Sequence, residues 1–311
     1  MSKSSQVELI LAKIESAYGD DANPTAALNA IRMANVQLTP YETETASLDY
    51  KKPTFGNNQQ IVVSEQMRLT GEVYIVGGGE PGAVPPWGVL MRGCGWAETV
   101  IPDTSVIYNP ISKNIESLTI YVNKDGILHK GTGCRGTVTW DFTAKKVPTF
   151  SFSFTGKFNP VEDQLMPPDA DFSKWIKPRA AIPTFTGLVN IFGMVTAIVR
   201  SLTGDTQTEV VKPEWVNHDE IVISDRLPTS TVEYEARPVA EFDLYKHVRE
   251  QTHGEVIYTH GNEPGNIIEM AYPDAILTSA EYGDNSKILT NTATIIPLIK
   301  DGNDDMLITV S

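Results

Sequence analysis

The feature that most constrains this chain is a segment that occurs twice. Residues 52–65 read KPTFGNNQQIVVSE, and 160 residues later residues 212–225 read KPEWVNHDEIVISD, with no gap between them. The identical pairs are Lys52/Lys212, Pro53/Pro213, Asn57/Asn217, Ile61/Ile221, Val62/Val222 and Ser64/Ser224, and the chemically similar pairs are Phe55/Trp215, Val63/Ile223 and Glu65/Asp225. A segment repeated at so long a spacing indicates two copies of one structural unit.

Length and charge fit this interpretation. A chain of 311 residues suits two domains of ordinary size. Residues 1–160 carry 14 basic and 15 acidic side chains, a net charge of −1, whereas residues 161–311 carry 11 and 24, a net charge of −13. Because phosphate contacts need clustered Lys and Arg, this balance argues against tight binding of nucleic acid. An acidic surface that repels polyanions and one that only keeps the protein soluble both fit.

The cysteine content and the hydropathy of the chain indicate in which cellular compartment the protein is made. Cys94 and Cys134 are too few for a disulfide-built secreted module, and two buried free thiols are expected, with one disulfide as the alternative. The N-terminus lacks the apolar core of a signal peptide, and no apolar run of 18 residues occurs, so no transmembrane helix is expected. Synthesis in a reducing cytoplasm is the simplest interpretation.

Local patterns predict one helix at the N-terminus and two strand-rich units after it. Ser5-Gln6-Val7-Glu8 has the capping-box pattern, and apolar residues then recur at helical spacing up to Gly19. This helix either docks on a neighbouring molecule or packs on its own domain. In the first unit, strands are predicted at 66–76, 105–109, 118–122, 127–130, 137–142 and 149–155, with a short helix opened by Pro85-Pro86-Trp87.

The second unit repeats this order. Strands are predicted at 229–236, 255–258, 266–270, 276–281 and 288–296, with a helix that begins at Pro238 and ends before Gly254. From Ser64 to Val106 is 42 residues, whereas from Ser224 to Val256 is 32. The first unit is therefore longer by about ten residues, and the glycine- and proline-rich segment 77–86 is predicted to be a loop insertion.

Two long polar stretches and a proline-rich joint complete the organisation. The stretches 39–60 and 203–220 are predicted to be loops that are functional or ordered by a partner. Five prolines keep the joint at 159–183 extended. The predicted division is an N-terminal helix and arm at 1–34, a first domain at 35–160, a linker at 161–183 and a second domain at 184–311.

No motif carries chemistry. The segment 77–82 formally matches G-x-G-x-x-G, but Pro81, Pro85 and Pro86 break the turn into a helix that a dinucleotide site needs. No HExxH, paired Cys-x-x-Cys, nucleophile elbow or P-loop lysine occurs. We therefore predict no catalytic, cofactor-binding or metal-binding residue, no cofactor and no enzyme activity. The histidines are His129, His218, His247, His253 and His260, of which the last three could gather around a helix end.

Four segments carry a family resemblance. ILAKIESAYGDDANPT near the N-terminus, PPWGVLMRGCGWAET at 85–99, LTIYVNKDGILHKGTGCRGTV at 118–138 and FSFTGKFNPVED at 152–163 resemble tail tube proteins of long-tailed bacteriophages, of the non-contractile siphovirus type. The resemblance runs over most of the chain and is strongest in residues 8–165. It implies a mainly β fold of two tandem β-sandwich domains, each with a flanking α-helix, whose inner sheets join into a ring β-barrel.

The same resemblance implies a function. Such proteins are structural subunits of the virion tail, assembled in the cytoplasm of the host bacterium, and their stacked rings surround a channel through which DNA passes during genome ejection. With two domains per chain, three chains rather than six would close a ring. The implied partners are further copies of the chain and other tail proteins such as the tape measure, terminator and distal tail proteins, with transient, non-specific passage of DNA and no membrane.

Further expectations and alternatives follow from this assignment. Ring closure removes exposed strand edges, while stacking along the axis stays open-ended. We expect the stretches 39–60 and 203–220 and the N-terminal arm to make ring-to-ring contacts, and Glu233 and Glu235 to face the lumen. The runner-up is another tail component, such as a terminator, baseplate or adhesin subunit. An enzyme that uses the group of His247, His253 and His260 is the third hypothesis.

Overall fold

The computed structural model describes residues 3–4, 6–195, 197–213 and 215–311, and the described chain is mainly β. The strands up to the joint are β1 Glu8–Ile14, β2 Ala30–Ile31, β3 Ala34–Ser47, β4 Gln60–Tyr74, β5 Trp96–Ile101, β6 Ser105–Pro110, β7 Leu118–Lys124, β8 Ile127–Thr143, β9 Thr149–Phe158 and β10 Glu162–Asp163. The later strands are β11 Thr186–Ile191, β12 Val199–Asp205, β13 Thr208–Val211, β14 Val222–Arg226, β15 Thr229–Glu235, β16 Gly254–His260, β17 Ile268–Leu277, β18 Glu281–Asn285, β19 Ile288–Pro297 and β20 Leu307–Val310. The helices are α1 Ala26–Asn29, α2 Gly88–Gly93 and α3 Leu244–Glu250.

One run of eight antiparallel strands crosses both halves of the chain. Its order is β3-β4-β9-β8-β12-β15-β19-β18. The first half supplies the first four strands and the second half the last four, and the two halves join where β8 pairs with β12. In each half the order is the outgoing and then the returning strand of a long hairpin, followed by the second and then the first strand of a later hairpin, β9-β8 or β19-β18. We refer to this run as the inner sheet.

A second layer packs against the inner sheet. It contains the run β5-β6-β20-β17-β16-β11 and the shorter run β2-β1-β7. A single cluster of buried residues draws on both layers, and Trp87 lies at its centre with its ring 5.0 Å from that of Phe150 and 5.1 Å from that of Tyr108. The architecture therefore fits the β-sandwich class. Because β20 pairs with both β6 and β17, the C-terminal strand also ties the second half to the first.

The predicted strand 149–155 is confirmed, and its pattern shows how local sequence produces this architecture. In β9, Phe150, Phe152 and Phe154 are buried, while the residues between them are Ser and Thr on the other face. Alternate side chains of a strand point to opposite faces, so this strand presents one apolar and one hydroxyl-bearing surface. Asp125 and Gly126 form the turn between β7 and β8, and both residues are at positive φ.

The predicted N-terminal helix is wrong, because residues 8–14 form strand β1, which pairs with β7 and β2. Ile10 and Ala12 belong to the main core, and Leu9 and Leu11 to a second buried cluster with Tyr121. A strand buried on both faces has a continuous run of apolar residues. Over only two helical turns, such a run also satisfies the apolar spacing of a helix, so the sequence does not distinguish the two structures. Ser5, the predicted cap, lies outside the described residues. The segment packs on its own half of the chain.

The predicted loops at 39–60 and 203–220 are correct only in part, because each begins with strand residues, whereas 48–59 and the described residues of 212–220 lie outside any strand. Residues 39–47 continue β3 and pair with β4, and β12 and β13 extend to Val211, where β13 pairs with β14. We call the β3–β4 pair hairpin 1 and the β12/β13–β14/β15 pair hairpin 2. The outer part of β3 in hairpin 1 is solvated on both faces, so the alternation of apolar and polar residues that indicates a strand is absent there from the sequence.

Three smaller predictions need correction. The helix predicted to start at Pro238 begins at Leu244, where the Asp243 side chain accepts from Lys246 N at 2.9 Å, and it ends before Gln251, which is left-handed. The predicted strand 276–281 is split between β17 and β18. The extra length in the first half is only partly the loop at 77–86, because strand β5, which has no counterpart between α3 and β16, supplies most of it.

The joint and the cysteines complete the description. Residues 164–185 contain no strand or helix, but they pack on the first half, where Trp175 is buried and its indole Nε1 donates to Ala30 O at 3.1 Å. Cys94 and Cys134 are free and buried, as predicted, and burial raises the pKa of both thiols. In the described ranges no helix is long and apolar enough to cross a membrane.

Candidate assembly surface

The inner sheet carries hydroxyl groups across the whole face that points away from the core. The register places them in rows, for example Glu72, Ser151, Thr139, Asp205 and Thr229 on β4, β9, β8, β12 and β15. A second row runs through Thr149, Asp141, Thr203, Thr231 and Thr294 on β9, β8, β12, β15 and β19. The face therefore offers water many hydrogen-bonding groups, and its rows continue across the junction of the two halves.

Carboxylates are the main charges on this face, and several are held by neighbours. The Glu233 carboxylate accepts from Arg200 Nη1 at 2.7 Å and from Thr290 Oγ1 at 3.0 Å. The Glu72 carboxylate accepts from Asn35 Nδ2 at 2.9 Å. Glu235 follows Glu233 by two residues on β15 and so shares its face. Both residues that were predicted to face a lumen lie on this surface, and Glu233 is neutralised there by an arginine.

The sheet ends in two edges that have no partner in the described chain. Strand β3 pairs with β4 alone, and β18 pairs with β19 alone. The outer side of each strand leaves backbone N–H and C=O groups that a further strand could pair with, which is the condition that leads to strand addition. One edge belongs to the first half and the other to the second, so they are different surfaces rather than one surface repeated.

The junction of β8 with β12 shows how two such edges meet. Five residue pairs are in register, from Ser201 opposite Thr143 to Asp205 opposite Thr139. On the core side of the junction, Gly204 lies against the buried indole ring of Trp140, where a β-carbon would meet Cε2 at 2.5 Å. The glycine lets the strand approach the ring closely. The junction is thus a full strand pairing with a packed core beneath it.

The histidines do not form a site in the described parts of the chain. His247 stacks on Phe242 with ring centroids 4.9 Å apart, His253 contacts the Asp274 carboxylate at 2.9 Å, and His260 is buried between strands. Burial lowers the pKa of His260 and of His247. The described residues hold no group of three or more His, Cys, Asp or Glu side chains arranged to bind a metal ion. These three histidines therefore lie in three separate surroundings.

The glycine-rich loop after β4 is a packing contact between the halves. Gly77 N donates to Asn266 Oδ1 at 2.7 Å, and Gly79 N donates to Gly265 O at 3.0 Å. A β-carbon on Gly77 would meet the Asn266 backbone at 2.6 Å. The close approach of two backbone segments therefore explains why glycine stands at this position. The nucleotide-binding pattern of the sequence corresponds here to a contact within the protein.

Comparison with known proteins adds no identification. No protein-family model matches the chain, and no curated protein is significantly similar to it. The functional argument therefore rests on the surface itself: a hydroxyl- and carboxylate-bearing sheet with one internal junction and two open edges. Sequence reasoning anticipated many of the strands, the acidic excess and the presence of strand edges, but not which strands form the two edges, because strand pairing between distant segments leaves no local signal.

Proposed function

We propose that the protein is a structural subunit of a bacteriophage tail tube, which assembles into rings that stack around a channel for DNA. The four resembling segments suggested this family, and the fold class is compatible with it. The proposal includes two tandem domains of the tail tube type, joined through the linker at 161–183. It includes no catalytic step, and the chain needs no cofactor to perform this role.

One observation carries the proposal: the open edges of the inner sheet are the two kinds of edge that already meet inside the chain. Strand β8, the first strand of the β8–β9 hairpin in the first half, pairs with β12, the outgoing strand of hairpin 2. Strand β18 has the place of β8 in the second half, and β3 has the place of β12 in the first. Pairing of β18 with β3 of the next chain would therefore repeat the internal junction.

Repetition of that junction determines how many chains close a ring. A contact between two different surfaces is heterologous, and it closes into a ring when its rotation divides a full turn. If each half turns by about one sixth, three chains complete a circle with three-fold symmetry and pseudo-six-fold shape. A closed sheet also removes both open edges, which protects the strands against uncontrolled pairing.

The polar face of the inner sheet suits the inner wall of such a channel. Its hydroxyl rows bind water, and its excess of carboxylates over cations repels phosphate. A wall of this kind lets DNA pass without retaining it, whereas a wall rich in Lys and Arg would hold it. The acidic composition of the second half agrees with this role.

Electron microscopy of the purified protein tests the proposal. We expect rings or hollow tubes whose end-on averages show three-fold symmetry with six similar lobes. Sedimentation velocity at increasing protein concentration should show trimers or larger species. A chain that stays monomeric at high concentration, or averages with true six-fold symmetry from six chains per ring, would contradict the corresponding part of the proposal.

A further inference from the structure

The two copies of the repeated segment have different surroundings, although their residues match. Ile221, in the returning arm of hairpin 2, is fully buried, whereas its counterpart Ile61, in hairpin 1, is 49% exposed. Phe55 is wholly exposed, and its counterpart Trp215 is 65% exposed. Because the residue types are the same or alike, the difference comes from what lies next to each hairpin. Hairpin 2 has the first half of the chain beside it.

The tip of hairpin 2 lies on the returning arm of hairpin 1. Lys212 Nζ donates to Glu65 O at 2.7 Å and contacts the Asp219 carboxylate at 3.1 Å. A cleft of about 660 Å³ separates the remaining parts of the two hairpins, and both copies of the repeated segment line it, including Val62, Val63 and Trp215. The Lys-Pro part of one copy therefore meets the Val-Ser-Glu part of the other.

The base of hairpin 2 is anchored on the body of the first half. Arg135 Nη1 donates to Ile221 O at 2.6 Å and to the Glu220 carboxylate at 2.9 Å. The backbone N–H of Ile221 donates to the Tyr18 hydroxyl at 2.6 Å. These bonds hold the residues just before β14 against β8 and the N-terminal segment. Burial of Ile221 follows from this anchoring.

Hairpin 1 lacks both kinds of contact in the described chain. Lys52, the counterpart of Lys212, is exposed, and its ammonium donates to Asn57 O within its own tip. Val62 and Val63 are exposed beside Ile61. Within the described chain, nothing packs on hairpin 1 in the place that the first half takes beside hairpin 2. The apolar side chains of Phe55, Ile61, Val62 and Val63 in hairpin 1 are therefore exposed to water.

We propose that hairpin 1 of one chain docks on the second half of another copy of the chain and repeats the contact made inside each chain. In this contact Lys52 Nζ donates to the backbone carbonyl of Asp225, the counterpart of Glu65, and Ile61 is buried against the second half. The inference rests on the ring proposed above and adds a clasp beside the sheet pairing. It gives hairpin 1 a lateral role within a ring, in place of the ring-to-ring contact that the sequence suggested.

One difference between the copies sets the chemistry of this clasp. Glu220, which binds Arg135 inside the chain, is matched by the uncharged Gln60 in hairpin 1. The contact between chains therefore has no carboxylate at this place to form an ion pair. It depends on apolar burial and on the lysine-to-carbonyl hydrogen bond, and so its strength should change little with salt concentration.

Matched cysteine pairs test the clasp. The variant K212C/E65C has its two thiols within one chain, and the variant K52C/D225C has the equivalent pair. A short bismaleimide should cross-link the first within the chain, with no increase in mass on a denaturing gel, and the second between chains, to give covalent dimers and trimers. Cys94 and Cys134 are buried and provide no competing thiol. Monomeric mass for K52C/D225C under conditions where both proteins form rings would overturn the clasp and leave the ring proposal standing.

A substitution at the same surface gives an independent test. The variant I61S changes an exposed side chain, so its melting curve should match that of the wild type, while its ring fraction should fall at least tenfold. V239S, at an exposed valine outside both hairpins, is the control and should assemble normally. Normal ring assembly by I61S would overturn the clasp, and so would normal rings with shortened tubes, which would favour the stacking role. A wild-type protein that forms no rings would refute the ring proposal and the clasp together.

Discussion

The junction of β8 with β12 and the open edges at β3 and β18 involve the same kind of strand edge. At the junction the edges are paired with each other, and at β3 and β18 they are unpaired in the described chain. At the junction, five residue pairs are in register and Trp140 is buried beneath them. At the second-half edge, Tyr282 of β18 is 65% exposed and its strand has a partner on one side only. The comparison shows which contacts a single chain completes by itself and which it leaves for another molecule.

The strongest test of this comparison removes the largest side chain beneath the junction. Trp140→Ala should lower the free energy of unfolding by about 3–5 kcal/mol, because truncation of a buried aromatic residue leaves a cavity that the surroundings fill only in part. Guanidinium titration at a protein concentration too low for assembly measures this. Tyr282→Ala, at the open edge, should change the same quantity by no more than about 0.5 kcal/mol. Equal losses would mean that junction and edge do not differ in the isolated chain.

A smaller effect is expected from overpacking the junction. In Gly204→Val the added atoms would meet Trp140 and the Ser230 hydroxyl, whose Oγ lies 2.5 Å from the position of a β-carbon. We expect a loss of about 1–3 kcal/mol in the free energy of unfolding. Thr203→Val, one residue earlier and on the polar face, keeps its shape and strand preference and serves as the control. Tolerance of valine at 204 would show that β12 moves away from the ring without cost.

The sequence predicted some of these elements and missed others for physical reasons. The alternation of Phe150, Phe152 and Phe154 with Ser and Thr is local, and it identified β9 correctly. The prediction for strand β1 was wrong because all of Leu9 to Ala12 is buried, so the apolar run does not alternate with polar residues as a half-buried strand would. The prediction for the long arm of hairpin 1 was wrong for the opposite reason, because both faces of this strand are exposed to water. The open edges depend on which distant strands pair, and no local pattern carries that information.

Proline substitutions in the open edge strand β18 test assembly rather than folding. Adjacent residues of an edge strand direct their N–H groups alternately toward the sheet and away from it. Gly283→Pro and Asp284→Pro each remove one backbone N–H group. In one variant this group is hydrogen-bonded to β19, and in the other it points outward from the edge of the sheet. The variant that removes only the outward donor should melt as the wild type does, and its ring formation, measured by sedimentation velocity, should fall at least tenfold. If both variants assemble normally, β18 is not the strand that joins the next chain.

The smallest effect concerns the ion pair that anchors hairpin 2, which hairpin 1 lacks. His218 and Arg135 hold the pKa of the Glu220 carboxyl below its ordinary value of 4.5. A carboxylate with a lowered pKa stabilises the fold above its unfolded-state pKa, and this contribution disappears as the pH falls through the folded-state value. Glu220→Gln should therefore lower the free energy of unfolding at pH 7 by about 1 kcal/mol or less, because the pair is partly exposed and Arg135 keeps its bonds to backbone carbonyls.

The difference between Glu220→Gln and the wild type should shrink toward zero as the pH falls below 4.5, since both proteins then carry an uncharged group at this position. Denaturant titrations at several pH values measure it. Glu281→Gln, which makes the same substitution at an exposed residue of β18, is the control variant. A difference that stays constant over the whole range would assign the effect to the shape of the side chain rather than its charge. The anchoring of hairpin 2 would then resemble that proposed for hairpin 1, where Gln60 already stands at the matching position.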